Sequence, residues 1–144
     1  MSDLRKSRFS VTINPNAGAR LDVGTLAALF DHLQQPPQLW DWLQSPDGDR
    51  RPRPLDRGER RRVDHIRIRV GLESEGAVNR SVHAHALVEV EHRTRVTINA
   101  ENLRALVDQF VGGGSSVRSS YLRSDADVER VLAYLSKTVE WNEF

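Results

Sequence analysis

Three stretches of this chain alternate apolar and polar residues with a period of two. A chain that repeats this pattern has to build a sheet with one dry face. Residues 8–14 place Phe9, Val11 and Ile13 on one side and Arg8, Ser10, Thr12 and Asn14 on the other. Residues 65–73 set Ile66, Ile68, Val70 and Leu72 against Arg67, Arg69, Gly71 and Glu73. Residues 81–91 set Val82, Ala84, Ala86, Val88 and Val90 against His83, His85, Glu89 and Glu91. A fourth strand is expected over 116–123, and Val96-Thr97-Ile98 forms a short extended segment.

Helical spacing fills the gaps between strands. Leu26, Leu29, Phe30 and Leu33 recur along 22–34, and Leu103, Leu106, Val107 and Phe110 along 100–111, where Gly112-Gly113-Gly114 stops the helix. A last helix over 125–139 carries Val128, Val131, Leu132, Leu135 and Val139, with capping groups in Ser124-Asp125-Ala126-Asp127. The order is strand, helix, strand, strand, helix, strand, helix. It predicts an α+β ferredoxin-like or RRM-like sandwich, a central antiparallel sheet with helices on one face and the other face open. At 144 residues, one domain is expected to span 1–144.

Residues 35–62 interrupt the pattern with Pro36, Pro37, Pro46, Pro52 and Pro54, and read as a long, basic, partly loose insertion. Nine arginines fall between Arg50 and Arg69, although the net charge of the whole chain is only +1. Such a run fits either a solvated loop or a polyanion contact. Trp40 and Trp42 in the same stretch either cap the edge of a core or stack on exposed bases. With no cysteine anywhere, disulfides, thiolate metal sites and a cysteine nucleophile are excluded. No apolar run is long enough for a membrane span, and no apolar stretch follows Met1-Ser2-Asp3-Leu4-Arg5-Lys6 to make a secretory signal. Neither a membrane nor a secreted location is expected.

Strand phase turns His83 and His85 to the same polar face, where two imidazoles can share a divalent cation. Glu73 is in phase with the polar face of the neighbouring strand, and Glu75 lies just beyond it, so either can complete the set. Two imidazoles and a carboxylate leave open positions and suit Mg²⁺ or Mn²⁺ acting on a phosphate. On the last helix, Tyr134 falls well off the centre of the apolar stripe, with Lys137 one turn on. A phenol, whose ordinary pKa is about 10, needs a cation and a polarised phosphate to serve as a nucleophile.

Three segments together carry a family resemblance: Phe9-Ser10-Val11-Thr12-Ile13-Asn14-Pro15, Val82-His83-Ala84-His85-Ala86-Leu87-Val88 and Val131-Leu132-Ala133-Tyr134-Leu135-Ser136-Lys137. In order and spacing they resemble motifs I, II and III of the HUH endonuclease domain of Rep proteins. These proteins initiate rolling-circle replication of circular single-stranded DNA viruses and related plasmids. The resemblance spans residues 8–140. It implies a sequence-specific single-stranded DNA nickase and strand transferase acting at an origin hairpin through a 5′-phosphotyrosine. Tyr134 would be the nucleophile, Lys137 its phosphate-positioning partner, and His83, His85 and Glu73 (or Glu75) the ligands of Mn²⁺ or Mg²⁺. Motif I and the polar strand faces make Arg8, Ser10, Thr12, Asn14, Arg67 and Arg69 the candidate DNA contacts, with 35–62 as an added one. His92 is out of phase with the pair and is left out of the metal site.

The resemblance further implies a monomeric domain within a larger protein, in which oligomerisation is open. The location would be the host nucleus for a eukaryotic virus and the cytoplasm otherwise. No Gly-x-x-x-x-Gly-Lys-Ser/Thr phosphate loop is present, so the helicase domain of viral Reps is expected to lie outside this chain. Two other readings stand beside it. A non-catalytic single-strand-binding module would use the same sheet, but wants aromatics on the open face, where the three clearest strands offer none. A transposase of the HUH superfamily shares the His-x-His and Tyr logic, but not motif I or the Tyr-x-x-Lys form.

Overall fold

The computed structural model describes residues 3–15, 23–47, 51–73, 83–135 and 140–143, in backbone only at 23, 72, 73, 134 and 140–143. The first alternating stretch forms β1 (Arg5–Asn14), followed by helix α1 (Val23–Gln34). The proline-rich segment holds α2 (Gln38–Trp42), a two-residue β2 (Leu43–Gln44) and the short α3 (Arg57–Arg60). Then come β3 (Val63–Glu73), β4 (His83–His92), β5 (Thr97–Ile98) and α4 (Ala100–Val111). The chain continues through β6 (Ser116–Tyr121), α5 (Asp125–Leu135) and β7 (Glu140–Glu143).

Five strands make the main sheet in the order β6-β1-β4-β3-β7, and β2 pairs with β5 in a separate two-stranded ribbon. Every pairing is antiparallel. The domain is thus a mixed α+β fold on a central antiparallel sheet flanked by helices. On the dry face Phe9, Val11, Ile13, Ile68, Val70, Ala84, Ala86, Val88 and Val90 are buried together with Leu26, Leu29, Phe30 and Leu33 of α1 and Leu103, Leu106 and Val107 of α4. The apolar phase of each strand therefore fixes which way these helices lie. Asn99 caps α4 by accepting the backbone N–H of Asn102 at 3.1 Å. Gly112 closes it at φ 100°, a left-handed conformation that only glycine adopts without strain.

The expected loose insertion is instead part of the core. Leu39, Trp42, Leu43 and Leu55 are buried in it, and Trp42 donates its indole N–H to the carbonyl of Leu33 at 2.8 Å. Of the two roles open to the tryptophans, Trp42 has the core one; at 1% exposure it cannot stack on a base. Trp40 is partly buried against the same core, under the Arg60 guanidinium at 5.8 Å. The prolines misled because they border short elements that pack, Pro37 standing directly before α2.

A second correction concerns the open face. Leu87 shares the phase of His83 and His85, yet it is fully buried in a small cluster with Val128 and Leu135 of α5. Leu122, Val131 and Leu132 pack around it. Helix α5 therefore lies on the polar face, across β4 and β3, and the sheet is covered on both sides. Asp125 anchors its first turn to Arg8 of β1 at 2.9 Å, and the Ser124 hydroxyl accepts from the Asp127 N–H at 3.2 Å. The expected extension to residue 139 lies outside the described residues.

Candidate active site on the polar face of the sheet

His83 and His85 stand where alternation puts them, half-buried on the α5 side of β4, with ring centroids 6.4 Å apart. Register adds a neighbour to each. Glu73 is the direct cross-strand partner of His83, and Gly71 that of His85. Gly71 contributes no side chain of its own beside His85. On the other flank Thr12 is the register partner of His85, and its hydroxyl oxygen lies 3.4 Å from His85 Nδ1. A contact at Nδ1 holds the ring and leaves the Nε2 edge as the coordinating one.

The donor chemistry fits a divalent cation. His83 Nδ1 is buried with no hydrogen-bond partner among the described residues. A desolvated ring nitrogen costs free energy until a cation or a proton donor meets it. His83 and His85 share one face of β4, and position 73 is the register partner of His83 on the adjacent strand; imidazole with carboxylate is a mixed N/O donor set of the kind a divalent cation takes. Among the described residues no three His, Cys, Asp or Glu side chains are grouped closely enough to hold a metal. The Glu73 side chain and the whole of Glu75 fall outside those residues, as do the Tyr134 side chain and the whole of Lys137.

What can be placed is the helix. α5 seats its Val128–Leu135 stripe on Leu87, two residues along β4 from His85. Position 134 is thereby on the helix that covers the histidine-bearing face. A shallow cleft of about 290 Å³ opens there, lined by Ser10, His85, Ala86, Arg130 and Val131. Arg130, one helical turn before Tyr134, also bonds Asp127 and is largely exposed. Sequence reasoning missed it because nothing but the docking of α5 brings it to His85.

The candidate DNA contacts divide. Ser10 and Thr12 adjoin the cleft or His85, and Asn14 extends the same row of β1. Arg8 and Arg69 are engaged within the protein: Arg8 with Asp125, and Arg69 with Glu89 at 3.1 Å. Arg67 lines a separate hollow with Lys6, His65, Glu89 and Glu91, lower on the same face, where Lys6 lies 3.9 Å from each carboxylate. That lower half is internally neutralised. His92 faces the dry side, consistent with its exclusion from the pair. No helix among the described residues is long and apolar enough to cross a membrane. No protein-family model, curated protein or solved structure matches the chain.

Proposed function

We propose that this domain is a metal-dependent, single-stranded DNA nickase and strand transferase of the HUH Rep type, with Tyr134 as nucleophile. The observation that carries the reading is the seating of α5 on Leu87. It sets the helix of the third motif against the strand of the second, on one face of one sheet. Strand order supports it too. With β7 set aside, β1, β3, β4 and β6 are ordered fourth, first, third, second, the ferredoxin-like arrangement expected from the sequence.

In this reading His83, His85 and Glu73 (or Glu75) would hold Mn²⁺ or Mg²⁺, which would supply charge neutralisation at the scissile phosphate. The phenol oxygen of Tyr134 attacks the phosphorus, the bond from phosphorus to the 3′ oxygen breaks, and a 5′-phosphotyrosine forms. The phenol proton passes to solvent, and the departing 3′ oxygen takes a proton to become a hydroxyl. Lys137 stabilises the phosphate. Thr12 steadies the His85 ring, and Ser10 and Arg130 face the strand in the cleft. Rejoining is the same step reversed, with a new 3′-hydroxyl as acceptor. The substrate is the single-stranded loop of an origin hairpin.

The test uses labelled hairpin oligonucleotides with randomised loops, Mn²⁺ and a denaturing gel. A protein-linked band that EDTA prevents is expected. His83→Ala should abolish it while leaving most DNA binding. Equal loss of cleavage and binding would make the histidine structural, and absence of any band across the library would overturn the nickase.

A further inference from the structure

The main sheet ends on β6 at one side and on β7 at the other. A sheet edge presents a row of backbone N–H and C=O groups without a ladder partner. Proteins shield such rows with charges, prolines, bulges or a covering element. On the β7 side these devices are present. Glu140 and Glu143 are two of the four residues of β7, which pairs with β3 over Arg69–Leu72. The rest of β3 carries Asp64, His65 and Arg67, with a bulge between Val63 and His65. β6 has none of this. Ser116–Tyr121 runs in unbroken register with β1, holds no proline, and carries a single charge, Arg118.

Register decides which backbone groups face outward. The Leu122 N–H donates to the Arg8 carbonyl at 2.8 Å, so Ser116, Arg118, Ser120 and Leu122 direct their backbone bonds to β1. The N–H and C=O groups of Val117, Ser119 and Tyr121 then point away from β1, and no strand among the described residues pairs with them. The side chains of these three are in the dry phase, opposite Ile13, Val11 and Phe9. Val117 packs partly buried against the core. Tyr121 sets its ring edge-on to Phe9, with centroids 5.6 Å apart, and is still 57% exposed. Ser116, Arg118 and Ser120 alternate on the polar side.

We propose that the free edge of β6 docks a second copy of this chain, β6 against β6, antiparallel about a two-fold axis at Ser119. Two five-stranded sheets thereby become one. One register satisfies the whole edge. With Ser119 opposite its own counterpart, Val117 of each copy stands opposite Tyr121 of the other. All three outward residues then exchange backbone hydrogen bonds. On the dry side each exposed Tyr121 ring is covered by a valine, an aromatic and β-branched pair made twice over. On the polar side Arg118 meets Ser120, so like charges do not face each other. A slide of two residues one way sets Arg118 against Arg118, and the other way sets Tyr121 against Ser119. Either slide also leaves an outward residue beyond the end of the opposing strand. A slide of one residue sets dry side chains against polar ones. This self-complementarity commits the edge to a second copy. The ladder is small against the roughly 1,600 Å² of a standard interface, so the pair forms and separates with concentration. It does not rest on the nicking reading.

The test is sedimentation of the whole chain, without metal or DNA, from about 1 μM to about 200 μM. A reversible equilibrium between monomer and dimer is expected. Ser119→Pro removes the N–H donors at the axis and none of the bonds to β1, and should weaken the dimer by about tenfold or more. Ser119→Lys keeps the backbone donors, sets two ammonium groups opposite each other, and should weaken it by about fivefold. The chain has no cysteine of its own, so Ser119→Cys carries a single thiol. Directly opposed Cα atoms about 5.5 Å apart suit a disulfide, and oxidation with diamide should join two copies of Ser119→Cys. Ser120→Cys, whose counterpart lies two residues along the opposing strand, should join far less. A monomer at every concentration, a dimer unmoved by both Ser119→Pro and Ser119→Lys, or equal joining of Ser119→Cys and Ser120→Cys would each overturn the interface.

Discussion

His92 shows how one residue can be read for its protonation state. Its Nδ1 bonds the carbonyl of Thr94, an acceptor only, so Nδ1 must carry the proton. Its Nε2 then accepts from the Ser7 hydroxyl at 2.7 Å, and the ring is neutral. Burial holds its pKa below the ordinary 6.5; the bond to Thr94 pulls upward, and the charge of Arg5 adds to the lowering. The unfolded chain therefore takes up a proton near pH 6.5 before the folded protein does. This contribution to stability is full above that pH and is lost as pH falls through it toward the folded value. Denaturant titrations at pH 7.5 and 5.5 should show lower stability at 5.5, with a smaller difference in His92→Gln. An identical difference in the variant would remove His92 as the source. Among the site residues, Thr12→Val should leave the fold intact and weaken Mn²⁺ binding, because His85 loses its contact at Nδ1; losing the hydrogen-bond partner of a metal-binding imidazole costs about 10–100-fold.

At the scale of elements, α5 is the part on whose attachment the proposed nicking reaction depends, and its seat is small. Leu87→Ala removes the side chain at the centre of the cluster with Val128 and Leu135 and should cost about 2–4 kcal/mol. Hydrogen exchange should then rise along α5 while β1 and β4 remain protected, and the covalent adduct should fall with it. Uniform loss of protection would show instead that α5 and the sheet unfold as one unit. Helix α3 has a similar single support in Glu59. Glu59→Ala breaks both the capping box and the grip on Arg53, and should cost about 1 kcal/mol measured by thermal unfolding.

The elements differed in how plainly the sequence shows them. β1, β3, β4, α1 and α4 follow from periodicity because each has a continuous apolar stripe facing a large core. Leu39-Trp40-Asp41-Trp42-Leu43 can be read as a helical turn with its tryptophans at a core edge, as α2 and Trp42 bear out. β2 and the burial of the whole segment do not follow, since five prolines surround short elements whose burial comes only from tertiary contacts. β7 is a four-residue edge strand without alternation. Leu87 is the instructive case. It is an apolar residue in phase with two histidines and two glutamates, and that exception to the polar face is the one sequence sign that a helix would cover it.

At the scale of the molecule, the sheet separates two charge environments. The histidine pair, the cleft and α5 occupy one end of the polar face, and an ion-paired stretch with Lys6, Arg69 and Glu89 follows. Phase alone puts His83 and His85 on one face of β4, because alternation is local. The pairing of Arg8 with Asp125 and of Arg69 with Glu89 depends on which strands and helices are neighbours, which no local pattern encodes. The distance between the arginines and the histidines is likewise a property of register and strand length.

The central claim is that one tyrosine on α5 becomes covalently joined to DNA beside a histidine-held metal. Its most direct test is mass spectrometry of the peptide released from the gel-purified adduct formed in Mn²⁺. A nucleotide attached through its 5′ phosphate to the peptide containing Tyr134 is expected, with no adduct from Tyr134→Phe or in EDTA. A nucleotide on any other residue, or an adduct that survives Tyr134→Phe, would contradict it.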